Sequence, residues 1–331
     1  MNPQFSLPFR DPGPLPSRNR RILLIVNPVS GRLKSRSGLF DIIDELYRSG
    51  APTPVERVTV VFTNHRGHAT ELAAGAPDEG YNAIVCCGGD GTLNEVVTGL
   101  LSHPPDRRPE LGYIPAGSTN DLAASIGLSG SLRHTASLAV SAPPMPFDVG
   151  LFPPTGDFPA RYFTYIASFG AFTAASYTTP QTAKNLMGHG AYVLEGVKDL
   201  SRLQPRRASF TLGDGTRLED DYVFCAVTNT TSAGGLLQLP KASVSLSDGL
   251  FELLLIKHPK NGGDLNRILT ALLTVTPESC PLIDFHHTDN VTVRLKEPTS
   301  WSLDGEEAGC GTEVTIRCLP GAVSLRACPE I

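Results

Sequence analysis

Hydrophobic and polar positions alternate along residues 21–142 in two rhythms. Ile22-Leu23-Leu24-Ile25-Val26 is an unbroken apolar run that stops at Asn27-Pro28, the pattern of a strand buried on both faces. Shorter apolar runs at 58–62, 83–87 and 111–114 predict three more strands. Segments of helical spacing lie among them at 39–47, 68–74, 92–101 and 120–126. In the third, Leu93, Val96, Val97, Leu100 and Leu101 fall at i, i+3, i+4, i+7 and i+8 and draw one apolar stripe. Strands alternating with helices predict an α/β unit on an open parallel sheet, with helices on both faces.

Beyond Pro143-Pro144 the rhythm changes. Strands are predicted over 147–152, 161–169, 208–212, 222–229, 250–257, 291–295, 314–318 and 323–326, with turn pairs such as Asp214-Gly215 between them. Only two helical patterns, 186–203 and 265–275, interrupt. This half reads as mainly antiparallel β structure. Residues 1–19 carry five prolines and no apolar run, and read as a flexible tail rather than a secretory signal. The expected organisation is therefore a tail over 1–19, an α/β domain over 20–143 and a β-rich domain over 144–331.

Composition narrows the function. A chain of 331 residues, 40% hydrophobic and 18% charged, has material for two packed domains. A net charge of −5 argues against a nucleic-acid partner. No run of 18 apolar residues predicts a membrane span. Seven cysteines include no C-x-x-C pair, and Cys86 and Cys87 sit side by side in a predicted buried strand, which suits a reducing, cytoplasmic setting.

The candidate chemistry sits where the third strand ends, at Gly88-Gly89-Asp90-Gly91-Thr92-Leu93-Asn94-Glu95. Open α/β sheets bind ligands at the carboxyl ends of their strands. Glycines let successive N–H groups face one anion, and a following helix adds its positive end. Thr92 and Glu95 have capping-box spacing. These features suit a polyphosphate. A carboxylate beside phosphates needs a cation between them, so Asp90 would reach Mg²⁺ directly or through water. A tight strand-to-helix turn without ligand is the plain alternative. Three further turns fall at the same edge: 27–31 (NPVSG), 63–69 (TNHRGHA) and 114–121 (IPAGSTND). Each alone reads as readily as a simple cap or turn; four together favour a phosphate site. Walker, G-x-G-x-x-G, H-E-x-x-H and G-x-S-x-G motifs are absent.

GGDGTLNEVVTGL (88–100), NPVSG (27–31) and PAGSTNDLA (115–123) together resemble the diacylglycerol kinase catalytic-domain family, which includes bacterial soluble lipid kinases and sphingosine kinases and is distantly related to NAD kinases. The likeness continues through 228–256 and SLDGEEAG (302–309). It implies a nucleotide-binding α/β domain followed by a β-sandwich domain for the lipid, with ATP and Mg²⁺ in the cleft between them. By resemblance Asn27, Thr63, Gly88, Gly89, Asp90, Gly91, Thr92, Leu93, Asn94 and Ser118 would contact nucleotide, the hydroxyl of the last turn falling on Ser118 or Thr119. Ser245, Asp248 and Leu250 would hold a structural Mg²⁺, against the plain reading of Asp248-Gly249 as a turn. Glu306 would accept the hydroxyl proton, with Asp304 as its partner and Asp90 on the magnesium; a type I′ hairpin turn at Asp304-Gly305 is the competing explanation.

The implied reaction is transfer of the γ-phosphate from ATP to a lipid hydroxyl, diacylglycerol to phosphatidic acid first. A sphingoid base or a dinucleotide is the alternative acceptor. A silent nucleotide- or lipid-binding protein is the alternative class, with Asp90, Asp304 and Glu306 counting against it. The lipid would be met transiently at a membrane surface, and a homodimer is allowed for. Residues 166–172 and the 186–203 helix could line an acyl-chain cleft or simply pack. Arg202, Arg206 and Arg207 could touch anionic headgroups or form a solvated face. Trp301 reads as core, and His286-His287 receives no role.

Overall fold

The computed structural model describes residues 19–33, 38–50, 53–118, 120–171, 204–233 and 237–327. The 186–203 helix, Phe172, Arg202, Thr119 and all but the last residue of the expected tail lie outside them.

The first part alternates as its periodicity predicts. β1 (Arg20–Val26) leads to α1 (Leu39–Arg48), then β2 (Val55–Phe62), α2 (His68–Gly75), β3 (Ala83–Gly88), α3 (Asp90–Leu100), β4 (Glu110–Pro115), α4 (Asp121–Ser125) and α5 (Leu132–Ser141). The strands are parallel in the order β2-β1-β3-β4, with Leu24 between Val60 and Val85. One apolar layer, including Leu23, Ile25, Ile84 and Cys86, packs under α2 and α3; the other, including Ile22, Leu24 and Val85, packs under α1 and α5. α5 has no counterpart in the predicted elements. Its inward face is Thr135, Ala136, Ala139 and Val140, too small a stripe to stand out, and Ser131 caps it by accepting the His134 N–H.

The second part is antiparallel: β5 (Pro144–Phe152), β6 (Arg161–Phe163), β7 (Ile166–Gly170), β8 (Arg206–Leu212), β9 (Arg217–Thr228), the short pair β10 (Ser232–Ala233) and β11 (Leu237–Gln238), β12 (Phe251–Lys257), α6 (Gly262–Leu273), β13 (Ile283–Thr288), β14 (Asn290–Leu303) and β15 (Glu306–Arg326). Its core is centred on Trp301, 1% exposed, against Phe152 and Phe169. α6 covers the other face of β9 and β12.

Three expectations change. The predicted 161–169 strand breaks after Phe163 because the N–H groups of Thr164, Tyr165 and Ile166 all turn onto the Asp304 carboxylate. The 314–318 and 323–326 strands are one long β15 with a register shift between Leu319 and Val323, where Gly321 donates its N–H to buried Asp148. The end of β15 then pairs in parallel with β4, Leu325 opposite Leu111, so the last strand completes the first part's sheet and the 143/144 boundary is crossed by continuous hydrogen bonding. His286 and His287 lie in β13, a strand marked only by Ile283 and Phe285 before the polar run His286-His287-Thr288. Arg206 and Arg207 pair with Glu297 and Glu219, as a solvated face would.

Candidate active site

The turns after β1, β2, β3 and β4 converge on one cleft of about 860 Å³, closed on its far side by Arg161, Tyr162, Leu303, Asp304 and Glu306. Asn27, Thr63, Gly89, Gly91, Thr92, Asn94 and Ser118 line it. The close approach of the turns depends on glycine. A Cβ on Gly117 would sit 2.5 Å from the Gly89 Cα, and one on Gly31, at φ +50°, would meet the Ala116 carbonyl at 2.0 Å.

Side chains lock the turns together. Asn27 Nδ2 donates to Thr92 Oγ1 at 2.9 Å. The Glu95 carboxylate accepts the N–H groups of Gly67 (2.8 Å) and Ala69 (3.2 Å), fixing the start of α2. The expected capping box is therefore not formed. α3 starts at Asp90, two residues earlier than predicted, and Gly89 caps it without a side-chain bond, because the turns at 27 and 67 take up Thr92 and Glu95. Two other expected nucleotide contacts stand behind the wall. Leu93 is buried in the core with its N–H on Gly89, and Gly88 ends β3, where a Cβ would press on Thr92 at 2.8 Å.

Asp90 is not among the residues that line the cleft. Its Oδ2 accepts the Asp121 N–H at 3.0 Å, and its Oδ1 is buried without a hydrogen-bond partner. Burial, and then the charge of Asp121, push its carboxyl up to about 7. A buried, unpartnered carboxylate oxygen beside a second carboxylate fits a divalent cation. Asp121 appears in the sequence only as a helix start; its proximity to Asp90 is tertiary.

Asp304 and Gly305 have φ of 47° and 82° and join Leu303 to Glu306 as the type I′ hairpin turn the sequence allowed. Asp304 is not the partner of Glu306. Its Oδ2 accepts from Asn94 Nδ2, Thr164 N and Thr164 Oγ1, and its Oδ1 from Tyr165 N and Ile166 N. Those five donors saturate it, and the one from Asn94 ties it to α3. The partners of Glu306 are Arg66 and Arg161, both on Oε2. No spacing in the sequence joins residues 66, 161 and 306.

Ser245, Asp248 and Leu250 lie outside the cleft wall. Asp248 is exposed and accepts the Leu250 N–H. Two carboxylates it interacts with are fully buried. Asp148 takes the N–H groups of Gly249 and Gly321, while neither oxygen of Glu252 meets a donor in hydrogen-bond geometry. Burial raises both carboxyls, that of Glu252 to about 8, and Asp248 adds to the rise. That donor set also fits a cation.

Residues 21–152 match the diacylglycerol kinase catalytic domain, and 167–327 match the YegS C-terminal NAD kinase beta sandwich-like domain. A Bacillus subtilis (strain 168) protein named diacylglycerol kinase is 32% identical over 88% of this chain and 91% of its own length. This chain belongs to the diacylglycerol kinase catalytic-domain family. A second relative of the family, the Chromohalobacter salexigens protein named "Probable lipid kinase YegS-like", is 33% identical over 82% of this chain and 84% of its own. The family fold also appears in a solved Bacillus anthracis str. Sterne structure, with a TM-score of 0.76, 21% identity and coverage of 97% of this chain and 99% of that one.

Proposed function

We propose that this chain is an ATP-dependent lipid kinase that transfers the γ-phosphate to the free hydroxyl of diacylglycerol, giving phosphatidic acid. One observation carries the reading: four strand-end turns and the start of α3 face, across a single cleft, a carboxylate delivered by the β-rich part. Family membership supports a kinase acting on lipid, and the names of the relatives support diacylglycerol as the acceptor.

The cleft is of a size that takes a small-molecule ligand. The triphosphate would lie along turns 27–31, 63–67, 89–92 and 117–118, where backbone N–H groups and the positive end of α3 favour anions. Magnesium, when bound, would neutralise charge on the transferred phosphoryl group. Asp90, set behind the cleft lining with Asp121 beside it, would hold that ion through water. Asp304 keeps residues 164–166 and Asn94 in register across the cleft. Glu306, presented by the hairpin turn and oriented by Arg161, would accept the hydroxyl proton. A second magnesium would sit at 245–250, with Asp248 and the backbone oxygens of Ser245 and Leu250 as ligands and Asp148 and Glu252 supplying charge. No described helix is long and apolar enough to cross a membrane, and the acceptor would be met at the bilayer surface.

The test is a panel of acceptors (diacylglycerol, ceramide, a sphingoid base and NAD) in mixed micelles with radiolabelled ATP and magnesium. Labelled phosphatidic acid is the expected product. Label in another lane would reassign the acceptor. Nucleotide binding without transfer to any acceptor would make the chain a silent binder.

A further inference from the structure

Arg66 projects from the turn after β2 to Glu306 at the start of β15, Nη2 to Oε2 at 2.5 Å. Arg161 on β6 reaches the same oxygen at 2.8 Å and also donates through Nη1 to the Glu307 carbonyl at 2.6 Å. One carboxylate oxygen thus carries two guanidinium groups, and they are not equivalent. Arg161 is 24% exposed, belongs to the same part as Glu306 and is fixed by its second bond. Arg66 is 76% exposed and comes from the opposite wall. An exposed ion pair of that kind is weak. A triphosphate entering beside turn 63–67 offers the guanidinium a more highly charged, bidentate partner. The turn itself is pinned on both sides of Arg66, by Thr63 N on the Val26 carbonyl at 2.9 Å and Gly67 N on Glu95 at 2.8 Å. Only the side chain has to move.

We propose that Arg66 is a nucleotide-released latch on Glu306. Paired with Glu306, it ties the carboxylate to the α/β wall. A bound triphosphate takes the guanidinium over and leaves Glu306 on Arg161 alone, free to accept a proton. This rests on the kinase reading of the site and adds what restrains the base and what releases it. Nucleotide and Glu306 then compete for one guanidinium.

Calorimetric ATP affinities of the wild type, Glu306→Gln, Arg66→Met and the double variant test that competition. Glu306→Gln frees Arg66 and tightens ATP about two- to fivefold, the range an exposed pair allows. Arg66→Met weakens ATP, and on that background Glu306→Gln no longer tightens it. Equal tightening on both backgrounds would be simple relief of charge repulsion and overturns the latch, as would an Arg66→Met protein that binds ATP like the wild type. Arg66→Lys, which keeps the charge but not the fork, retains part of the coupling and guards against a folding artefact. Failure of the wild type to bind ATP would sink the kinase reading and the latch together; binding without coupling sinks the latch alone.

Discussion

Asn94 Nδ2 donates to Asp304 Oδ2 at 2.9 Å, tying the second turn of α3 to the hairpin turn between β14 and β15. Four more donors from residues 164–166 saturate the same carboxylate, so Asp304 anchors the β6–β7 break to α3. Asp304→Asn turns an acceptor oxygen into a donor facing N–H groups, and buried donors left unpaired cost about 1–3 kcal/mol each. Urea unfolding should show a loss on the order of 2–4 kcal/mol, together with loss of transfer. An Asp304→Asn protein as stable as the wild type would remove the anchoring role.

Glu306 should behave in the opposite way. It is 43% exposed, and its ion pair with Arg66 is a surface one. Glu306→Gln is expected to leave unfolding within about 1 kcal/mol of the wild type while lowering kcat roughly 10²- to 10⁴-fold, the usual worth of a general base. Unchanged kcat would take the proton-accepting role away from Glu306.

The glycine contact between two turns gives a third expectation. Gly117→Ala places a methyl 2.5 Å from the Gly89 Cα and 2.6 Å from Asn120 Oδ1, and the nearer neighbour is backbone that cannot step aside. The turn should be displaced at a cost of about 1–3 kcal/mol, the range for overpacking. ATP affinity should fall more than tenfold, read by calorimetry. Gly91→Ala meets nothing within 4 Å and is the matched control for the stability loss alone, because Gly91 lines the cleft.

Much of this was written locally in the chain. β1, β3 and β4 are apolar runs buried on both faces, and that pattern has few other uses. The Asp304-Gly305 turn needs two positive-φ residues, and Asp-Gly supplies them. What the chain hides is tertiary. Thr92 and Glu95 have the right spacing for a cap, yet they bond Asn27, Gly67 and Ala69 because three turns crowd one sheet edge. The break at 164–166 is imposed by a carboxylate about 140 residues away, and the Arg66–Glu306 contact spans 240. α5 escaped notice because a helix packed through alanine and threonine leaves little hydrophobic contrast.

Asp90 links stability to pH. Its folded carboxyl titrates at about 7 against an ordinary value of 3.8, so between those values the folded state holds a proton that the unfolded state has lost. The contribution of this group therefore falls as pH rises from about 4 through 7 and levels off beyond that. Asp90→Asn mimics the protonated group and should raise stability at pH 7 by on the order of 1–3 kcal/mol in nucleotide- and metal-free buffer, while abolishing transfer. A destabilised Asp90→Asn protein would show that the carboxylate is not held against its charge.

Glu252 extends the same logic to a higher window and to metal. Its carboxyl is raised from 4.5 to about 8, by burial first and then by Asp248, while the nearby Ser245 N–H and Thr228 hydroxyl pull the other way. The sign is again that of a raised acid: its cost is absent below about 4.5, grows as pH rises, and is complete near 8. The Asp90 contribution overlaps this window but is common to the wild type and Glu252→Gln, so the difference between their curves reports Glu252. Melting curves in chelator should show Tm dropping further toward pH 8 in the wild type than in Glu252→Gln. A cation held at 245–250 favours the ionised form and reverses the penalty, so millimolar Mg²⁺ should stabilise the wild type more at pH 8 than at pH 6 and lose that difference in Glu252→Gln. Parallel wild-type and Glu252→Gln curves with and without magnesium would show that neither the buried charge nor the ion is seated there.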